Sequence, residues 1–545
     1  MRWICAAVLI VFAPLYGQGQ PSIKSGGVLN AASYAPIGAP NGGVARGSIF
    51  SVFGTNFGPA AGIQVSSFPL QNTLGGVSLN IVQGETTVAA IPIYVNGSQI
   101  NAIMPSNAPL GEVAVVVTAN GQQSNYEGTL VVAQNPGIFT ALAIGYGPGA
   151  IQNFIDSATT PLNTLQFSAS RGQALILWGT GLGAVTGGDN VAPPVGDLSA
   201  DVKIYVGGKQ ATNKLYSGRA PNIAGLDQVV FTLPDDTPLG CYVPVQIKAN
   251  GALSNVVTIA VGTRSQACTE PDNPAATALI KGGRAGNIAL ARRTVDVTDI
   301  LTGTQSFKED SMRADFNENP ANNALAFHRF LSLPPAGTCT AFSAEGNLAD
   351  PAKSPLGGTK LDAGNLTLRG PQGSRSATAA DGYTAVLNDV TGGTTPSFFD
   401  PGVYQVSAQG GVDVRSFAHS FTLGSGPQWS NRAALKAVNR SDGIRFTWTG
   451  AGSVLVAGGN YDRPTNSSGL FVCRVPQGAL SFNVPPEVAG LLPATRPATA
   501  QSQSYLFFIA SPADFPSSIA NTSTFGLASA LVGYANTSMQ QVTIR

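Results

Sequence analysis

Residues 46–62 read RGSIFSVFGTNFGPAAG, and residues 171–187 read RGQALILWGTGLGAVTG. The two stretches align without a gap at an offset of 125 residues. Arg46/Arg171, Gly47/Gly172, Gly54/Gly179, Thr55/Thr180, Gly58/Gly183 and Gly62/Gly187 are identical, and apolar residues match apolar at Ile49/Ala174, Phe50/Leu175, Val52/Leu177, Phe53/Trp178 and Phe57/Leu182. A chain that repeats a turn, an apolar run and a second turn at fixed spacing builds one supersecondary unit twice. The match continues downstream. QINAIMP (99–105) aligns with QVVFTLP (228–234), and PLGEVAVVVTANGQQSN (109–125) with PLGCYVPVQIKANGALSN (238–255), with one inserted residue.

Each copy reads as all-β. Val243, Val245 and Ile247 alternate with Pro244, Gln246 and Lys248, the period of a half-buried strand. Asn120-Gly121 and Asn250-Gly251 then mark tight hairpins. Pro244 inside a strand predicts an edge position. Short strands separated by Gly, Asn and Pro turns predict two antiparallel sandwiches, over 22–135 and 136–268.

The second copy also contains G-x-G-x-x-A (Gly179 to Ala184) after an apolar run, which is the dinucleotide fingerprint. That chemistry needs a helix whose N-terminus faces the pyrophosphate. The next residues are VTGGDNVAPPVGD, with Pro193 and Pro194, and the first copy has Asn56 and Pro59 where the second has Gly181 and Ala184. The glycines read instead as a positive-φ turn leaving a buried strand, and no cofactor is expected.

At 545 residues the chain is too long for one core. Charged residues are only 11%, while Gly 65 and Pro 37 make nearly a fifth of the chain, against a usual share of about 12%. A hydrophobic fraction of 43% and a net charge of +1 exclude a disordered polyelectrolyte and argue against nucleic acid or an anionic membrane as partner.

The N-terminus, MRWICAAVLIVFAPLYGQGQ, carries one early positive charge, an apolar stretch from Trp3 to about Leu15, and small residues at Gly17 and Gly19. It reads as a secretory signal peptide over residues 1–19, too short to span a membrane. No later segment reaches the length of a membrane span. Removing the leader removes Cys5 and leaves Cys241, Cys268, Cys339 and Cys473. In an oxidising compartment these allow three disulfide connectivities. Cys241–Cys268 with Cys339–Cys473 is preferred, because each bridge then closes within one predicted domain. The first would contribute roughly 3 kcal/mol by loop entropy.

FGTNFGP (Phe53–Pro59), with its looser copy WGTGLGA (Trp178–Ala184), resembles the IPT/TIG immunoglobulin-like fold, whose first strand runs into a G-T-N-F-G turn. VLNAASYA (Val28–Ala35), PGIFT (Pro136–Thr140), GTGLG (Gly179–Gly183) and GCYVPVQI (Gly240–Ile247) resemble, more narrowly, a tandem domain of large secreted acidobacterial proteins, the uncharacterised Solibacter-type family. The resemblance covers about residues 26–268. It implies immunoglobulin-like sandwiches, an extracellular setting and no catalytic residue. In that family the module is usually C-terminal; here a large region comes after it.

That region begins past CTEPDNPAATA (Cys268–Ala278), where Pro and small residues cluster. Ile444, Phe446 and Trp448 alternate with polar residues. Phe471, Cys473 and Val475 share a face, so Cys473 should point inward. SYLFFIAS (Ser504–Ser511) reads as a fully buried strand. One or two β-rich units are expected, 275–423 and 424–545, dividing near Gly424–Asn431 if they are two.

Candidates for chemistry are sparse. His328 and His419, 91 residues apart, read as strand residues with satisfied imidazoles, and neither a G-x-S-x-G elbow nor H-E-x-x-H is present. DFNENP (Asp315–Pro320) begins like a calcium loop but has Pro320 where glycine is required and Ala326 where glutamate is required. A looser metal site at a loop tip, with Asp315 and Asn317, is the weak alternative to a polar turn. Asp235-Asp236 sits in a PDDTP turn whose first copy, PSNAP, lacks the acids, and Glu309-Asp310 reads as a solvated surface pair. Trp429, ahead of Tyr461, is the candidate for stacking on a sugar.

The expected function is that of a secreted or cell-surface, non-enzymatic binding or structural protein, with tandem sandwiches as scaffold, spacer or adhesion modules. Its partner would be an extracellular protein or polysaccharide. The alternatives are a carbohydrate-binding accessory protein, or a hydrolase combining Glu309, Asp310, Asp315 or His419 within 275–545.

Overall fold

The computed structural model describes residues 19–299, 303–320, 323–348, 358–388, 397–495 and 502–545; of 295–299, 303–307 and 502–503 it describes the backbone alone. The expected leader and Cys5 lie outside the described residues, apart from Gly19.

The first sandwich is built from β1 (Ser22–Asn30), β2 (Ile49–Thr55), β3 (Val77–Gln83), β4 (Thr86–Val95), β5 (Gln99–Ile103), β6 (Gly111–Ala119) and β7 (Glu127–Val132). Shorter strands complete the sheets and are not numbered. The pairing order is β1-β2-β5-β4-β3-β6-β7. Strand β4 turns the corner between the two layers. Its first half pairs with β3, its second half with β5, and a bulge lies between Pro92 and Tyr94. Phe50, Val52, Leu79, Ile81, Val115 and Val117 fill the space between the layers.

The second sandwich uses β8 (Ala174–Thr180), β9 (Val202–Val206), β10 (Lys214–Arg219), β11 (Asp227–Thr232), β12 (Gly240–Ala249) and β13 (Val257–Val261). The repeated segments do the same work in both copies. Strand β2 pairs antiparallel with β5, and β8 with β11. Arg46 Nε donates to Ala108 O at 2.5 Å, and Arg171 Nε donates to Thr237 O, in the aligned loop, at 2.7 Å. Asn120 and Gly121 have φ of 51° and 80°, and Asn250 and Gly251 of 46° and 93°, as a two-residue hairpin with both φ positive requires.

Pro244 is not on an edge. It lies in β12, between β13 and β9. The missing N–H costs a single bond at the end of the ladder, because Pro244 faces Gly207, just beyond the end of β9. Gly207 N donates to Pro244 O at 2.8 Å, and only the reciprocal bond is absent.

The glycine-rich turn after β8 forms the joint between the two sandwiches. Gly181 has φ +105° and Gly183 φ +119°, and Asn56, aligned with Gly181, has φ +61°. The Arg219 guanidinium donates to Gly47 O of the first copy and Gly183 O of the second, both at 2.6 Å, and is paired with buried Asp227. Ile49 N donates to Thr180 Oγ1 at 2.8 Å across the same joint. A Cβ at Gly181 would collide with Asn135 O. We expect Gly181→Ala to lower stability by about 1–3 kcal/mol, measured by chemical denaturation.

Disulfides pair Cys241 with Cys268 and Cys339 with Cys473, at S–S distances of 2.05 and 2.04 Å. After Cys268 comes α1 (Pro274–Lys281), capped by the Asn273 side chain on Ala276 N. Then come β14 (Gly283–Asp299), β15 (Gly303–Asn319), β16 (Thr338–Glu345), β17 (Leu366–Gly370), β18 (Gly373–Ala377), β19 (Gly402–Ala408), β20 (Phe417–Leu423), β21 (Ile444–Thr449), β22 (Ser453–Asp462), β23 (Ser467–Arg474), β24 (Ser481–Val484), β25 (Ser502–Ser511) and β26 (Ser529–Gln541).

One ten-stranded sheet, whose path runs β16-β23-β22-β25-β26-β14-β15, takes strands from both sides of Gly424–Asn431. One face of it packs on two smaller sheets. Phe446, Trp448, Phe471, Cys473 and Phe508 fill the first interface; Phe316, Phe399, Tyr404, Phe421 and Tyr534 fill the second. Phe471 and Cys473 point inward as their alternation predicts.

The C-terminal region packs against both sandwiches. Tyr146 meets Phe342 edge-on at 5.5 Å, Tyr242 Oη donates to Ala326 O at 3.0 Å, and Lys24 of β1 pairs with Glu345 of β16 at 2.8 Å.

Candidate functional site

The second face of the ten-stranded sheet carries an open cleft of about 520 Å³. Its floor is set by strand alternation. In β25, Leu506, Phe508 and Ala510 point into the core, so Tyr505, Phe507 and Ile509 point the other way and are half-buried. This corrects the expectation that Ser504–Ser511 is fully buried. Both faces are apolar, but only one is covered at Tyr505 and Phe507.

Register sets the neighbours. Gly459 lies opposite both Tyr505 and Leu470, and Phe507 lies opposite Met539. Thr537 lies opposite Arg293, and Arg293 opposite Glu309. The Tyr505 and Phe507 rings are 6.3 Å apart and inclined at 46°. Leu348, just past β16, contributes to one wall, and Tyr461 Oη donates to Asn466 Oδ1 at 3.0 Å. Among the described residues, the cleft thus has an aromatic floor beside Arg293 and Glu309; Arg292 also borders it, but its guanidinium is held by Asp310.

Of the acids named from the sequence, Glu309 alone lines this cleft. Asp310 is the reverse of a solvated residue: it is fully buried on the core face. It accepts from Arg292 Nε and Nη2 at 2.7 Å each, from Phe398 N at 2.7 Å and from Phe399 N at 3.1 Å. The alternation of β15 forces this, because adjacent residues of a strand face opposite ways. Burial opposes the Arg292 charge, but the hydrogen bond and charge of Asp310 outweigh it and raise the Arg292 pKa.

Asp315 and Asn317 lie inside β15, paired along their length with β14, rather than at a loop tip or in a turn. Asp315 is 3.3 Å from Arg313 Nε. Among the described residues, no group of three His, Cys, Asp or Glu side chains is placed to hold a metal ion. Asp235-Asp236 forms the expected turn, with Asp236 on Lys209 at 2.6 Å.

His328 lies in an irregular segment rather than a strand, and its Nδ1 accepts from Phe330 N at 3.3 Å. His419 is in β20, with Nε2 2.9 Å from Ser517 Oγ. Glu309, Asp310, Asp315 and His419 therefore share no cleft. Burial lowers the His419 pKa below 6.5. The unfolded chain then binds the proton more tightly, so this contribution to stability is present above pH 6.5 and lost as pH falls through the folded value. We expect His419→Gln to flatten the stability profile below pH 6.5, measured by thermal unfolding across pH.

Trp429 is half-buried on the core side, against Phe446 at 5.3 Å and Phe508 at 5.8 Å, with Nε1 donating to Asn431 Oδ1. The aromatic cleft itself carries no motif in the sequence. Tyr505 and Phe507 are legible there as strand residues, but no local signal tells which of two apolar faces stays open.

Among the described residues, no helix is long and apolar enough to cross a membrane. No family model and no curated protein matches the sequence. Among solved structures, the chain is similar to a tetra-tandem repeat in the extending region of a large adhesion protein, at 13% identity over 96% of this chain and 98% of that one, with a TM-score of 0.13. It is similar to SGBP-B of the Bacteroides ovatus mixed-linkage glucan utilization locus, solved with a mixed-linkage heptasaccharide, at 14% identity over 52% and 67%, TM-score 0.21. It is also similar to immunoglobulin domains 1–4 of Sidekick-1, at 10% identity over 92% and 95%, TM-score 0.11. Overlaps with TM-scores this low carry no argument about function; the all-β, tandem-sandwich architecture rests on the strand pairing itself.

Proposed function

We propose that the chain is a non-enzymatic binding protein of the cell exterior. Three units, 22–135, 136–268 and 275–545, lock together as a scaffold that presents the open face of the ten-stranded sheet. The observation that carries this reading is the cleft: an aromatic floor with a single carboxylate, while the other groups nominated for catalysis are buried or lie elsewhere. Binding sites are typically concave and largely apolar, with a few placed polar groups. The two N-terminal sandwiches are immunoglobulin-like modules of the IPT/TIG type in the Solibacter-type family, a reading supported by FGTNFGP and its copy. Export is supported by the apolar leader sequence and by two cysteine pairs at bonding distance.

The test is twofold. Expression with the leader should deliver the chain outside the cytoplasm with its N-terminus trimmed near Gly17 or Gly19. Chromogenic ester, glycoside and peptide substrates should show no turnover. Turnover abolished by Glu309→Gln would overturn the non-enzymatic reading.

A further inference from the structure

Gly459 is a glycine that its own surroundings do not require. Its φ is not left-handed, and a Cβ there would meet nothing closer than 3.6 Å. Neighbouring Gly458 differs, since its Cβ would collide with the Phe471 ring. Gly533, on the same open face in β26, also meets nothing within 4 Å. Glycine weakens a strand interior, and where packing does not demand it, it marks a place that something else approaches closely. At Gly459 the missing side chain clears the space directly opposite Tyr505.

We infer that this cleft binds a neutral oligosaccharide. The inference rests on the binding reading above and names the ligand class. Tyr505 and Phe507 present two ring surfaces at an angle, suited to the C–H faces of successive sugar rings. Arg293 and Glu309, opposite one another on β14 and β15, supply a donor and an acceptor for hydroxyls, and their charges cancel, so nothing selects an ionic ligand. A peptide adding as a strand needs an unpaired sheet edge. Strand β25 is paired on both sides, with β22 and β26, and offers none here.

The experiment titrates the purified full chain calorimetrically with cellohexaose, maltohexaose, xylohexaose and laminarihexaose, with oligogalacturonate as the acidic control. At least one neutral hexasaccharide should bind more tightly than the acidic control. Tyr505→Ala and Gly459→Leu should each weaken that binding at least tenfold, with unfolding midpoints unchanged. Gly459→Ala, a smaller plug, should weaken it less. Binding unaffected by both of the first two variants overturns the location. If no neutral sugar binds, while a peptide selected from a library does so and is lost in Gly459→Leu, the ligand class is overturned and the binding reading stands. Turnover lost in Glu309→Gln overturns the binding reading itself.

Discussion

Arg219→Ala is expected to destabilise the protein by about 3–5 kcal/mol, the cost of breaking a buried ion pair from one side. Arg219 and Asp227 side chains are 3% and 1% exposed. The substitution removes the pair together with the bond to Gly47 O, which crosses to the first sandwich, and the bond to Gly183 O, which holds the glycine turn of the second. Burial already pushes the Asp227 carboxyl up from 3.8, against the pull of Arg219 and of the Leu182 N–H. Without Arg219 it rises further. The folded variant then holds a proton that the unfolded chain releases, so its deficit against the parent grows as pH rises through that window and shrinks on acidification. Urea unfolding of parent and variant at acidic and neutral pH measures both effects. A neutral-pH difference below about 0.5 kcal/mol, the size of an ordinary surface change, would remove Arg219 from the joint. Arg219→Met with Asp227→Asn should recover part of the loss, because the amide oxygen still accepts from Leu182 N.

The second large effect is expected at Asp310. Asp310→Ala leaves the half-buried Arg292 guanidinium without its partner and orphans the N–H groups of Phe398 and Phe399. The loss should again reach about 3–5 kcal/mol. Those two N–H groups anchor the segment leading into β19 to the large sheet. The near-ultraviolet signal of the Phe398, Phe399 and Tyr404 cluster should therefore weaken with the stability. Asp310→Asn, which keeps an acceptor but no charge, should fall between. Glu309→Gln, one residue away on the open face, should stay within about 0.5 kcal/mol. Equal effects at 309 and 310 would contradict the assignment of the two faces.

Local signals were legible where one chemical constraint has one solution. Asn-Gly at 120 and 250 needs two positive φ values, and both hairpins have them. Ile444, Phe446 and Trp448 alternate with polar neighbours, and all three are buried. Local rules failed where a partner distant in sequence decides. Pro244 carries a real edge-strand rule, but the end of β9 beside it satisfies that rule inside the sheet. Glu309-Asp310 looks like a surface pair until Arg292, 18 residues away, is placed opposite Asp310.

The sequence alone determined the duplication, the all-β class and the positive-φ backbone of the glycine turn. These depend on period, spacing and φ preference, which are properties of neighbours along the chain. Only the tertiary structure decided that the same turn is an inter-sandwich joint pinned by Arg219, and that Tyr505 and Phe507 floor a cleft. Which face of an apolar strand stays open depends on what packs against it, and those partners come from strands far away in the chain.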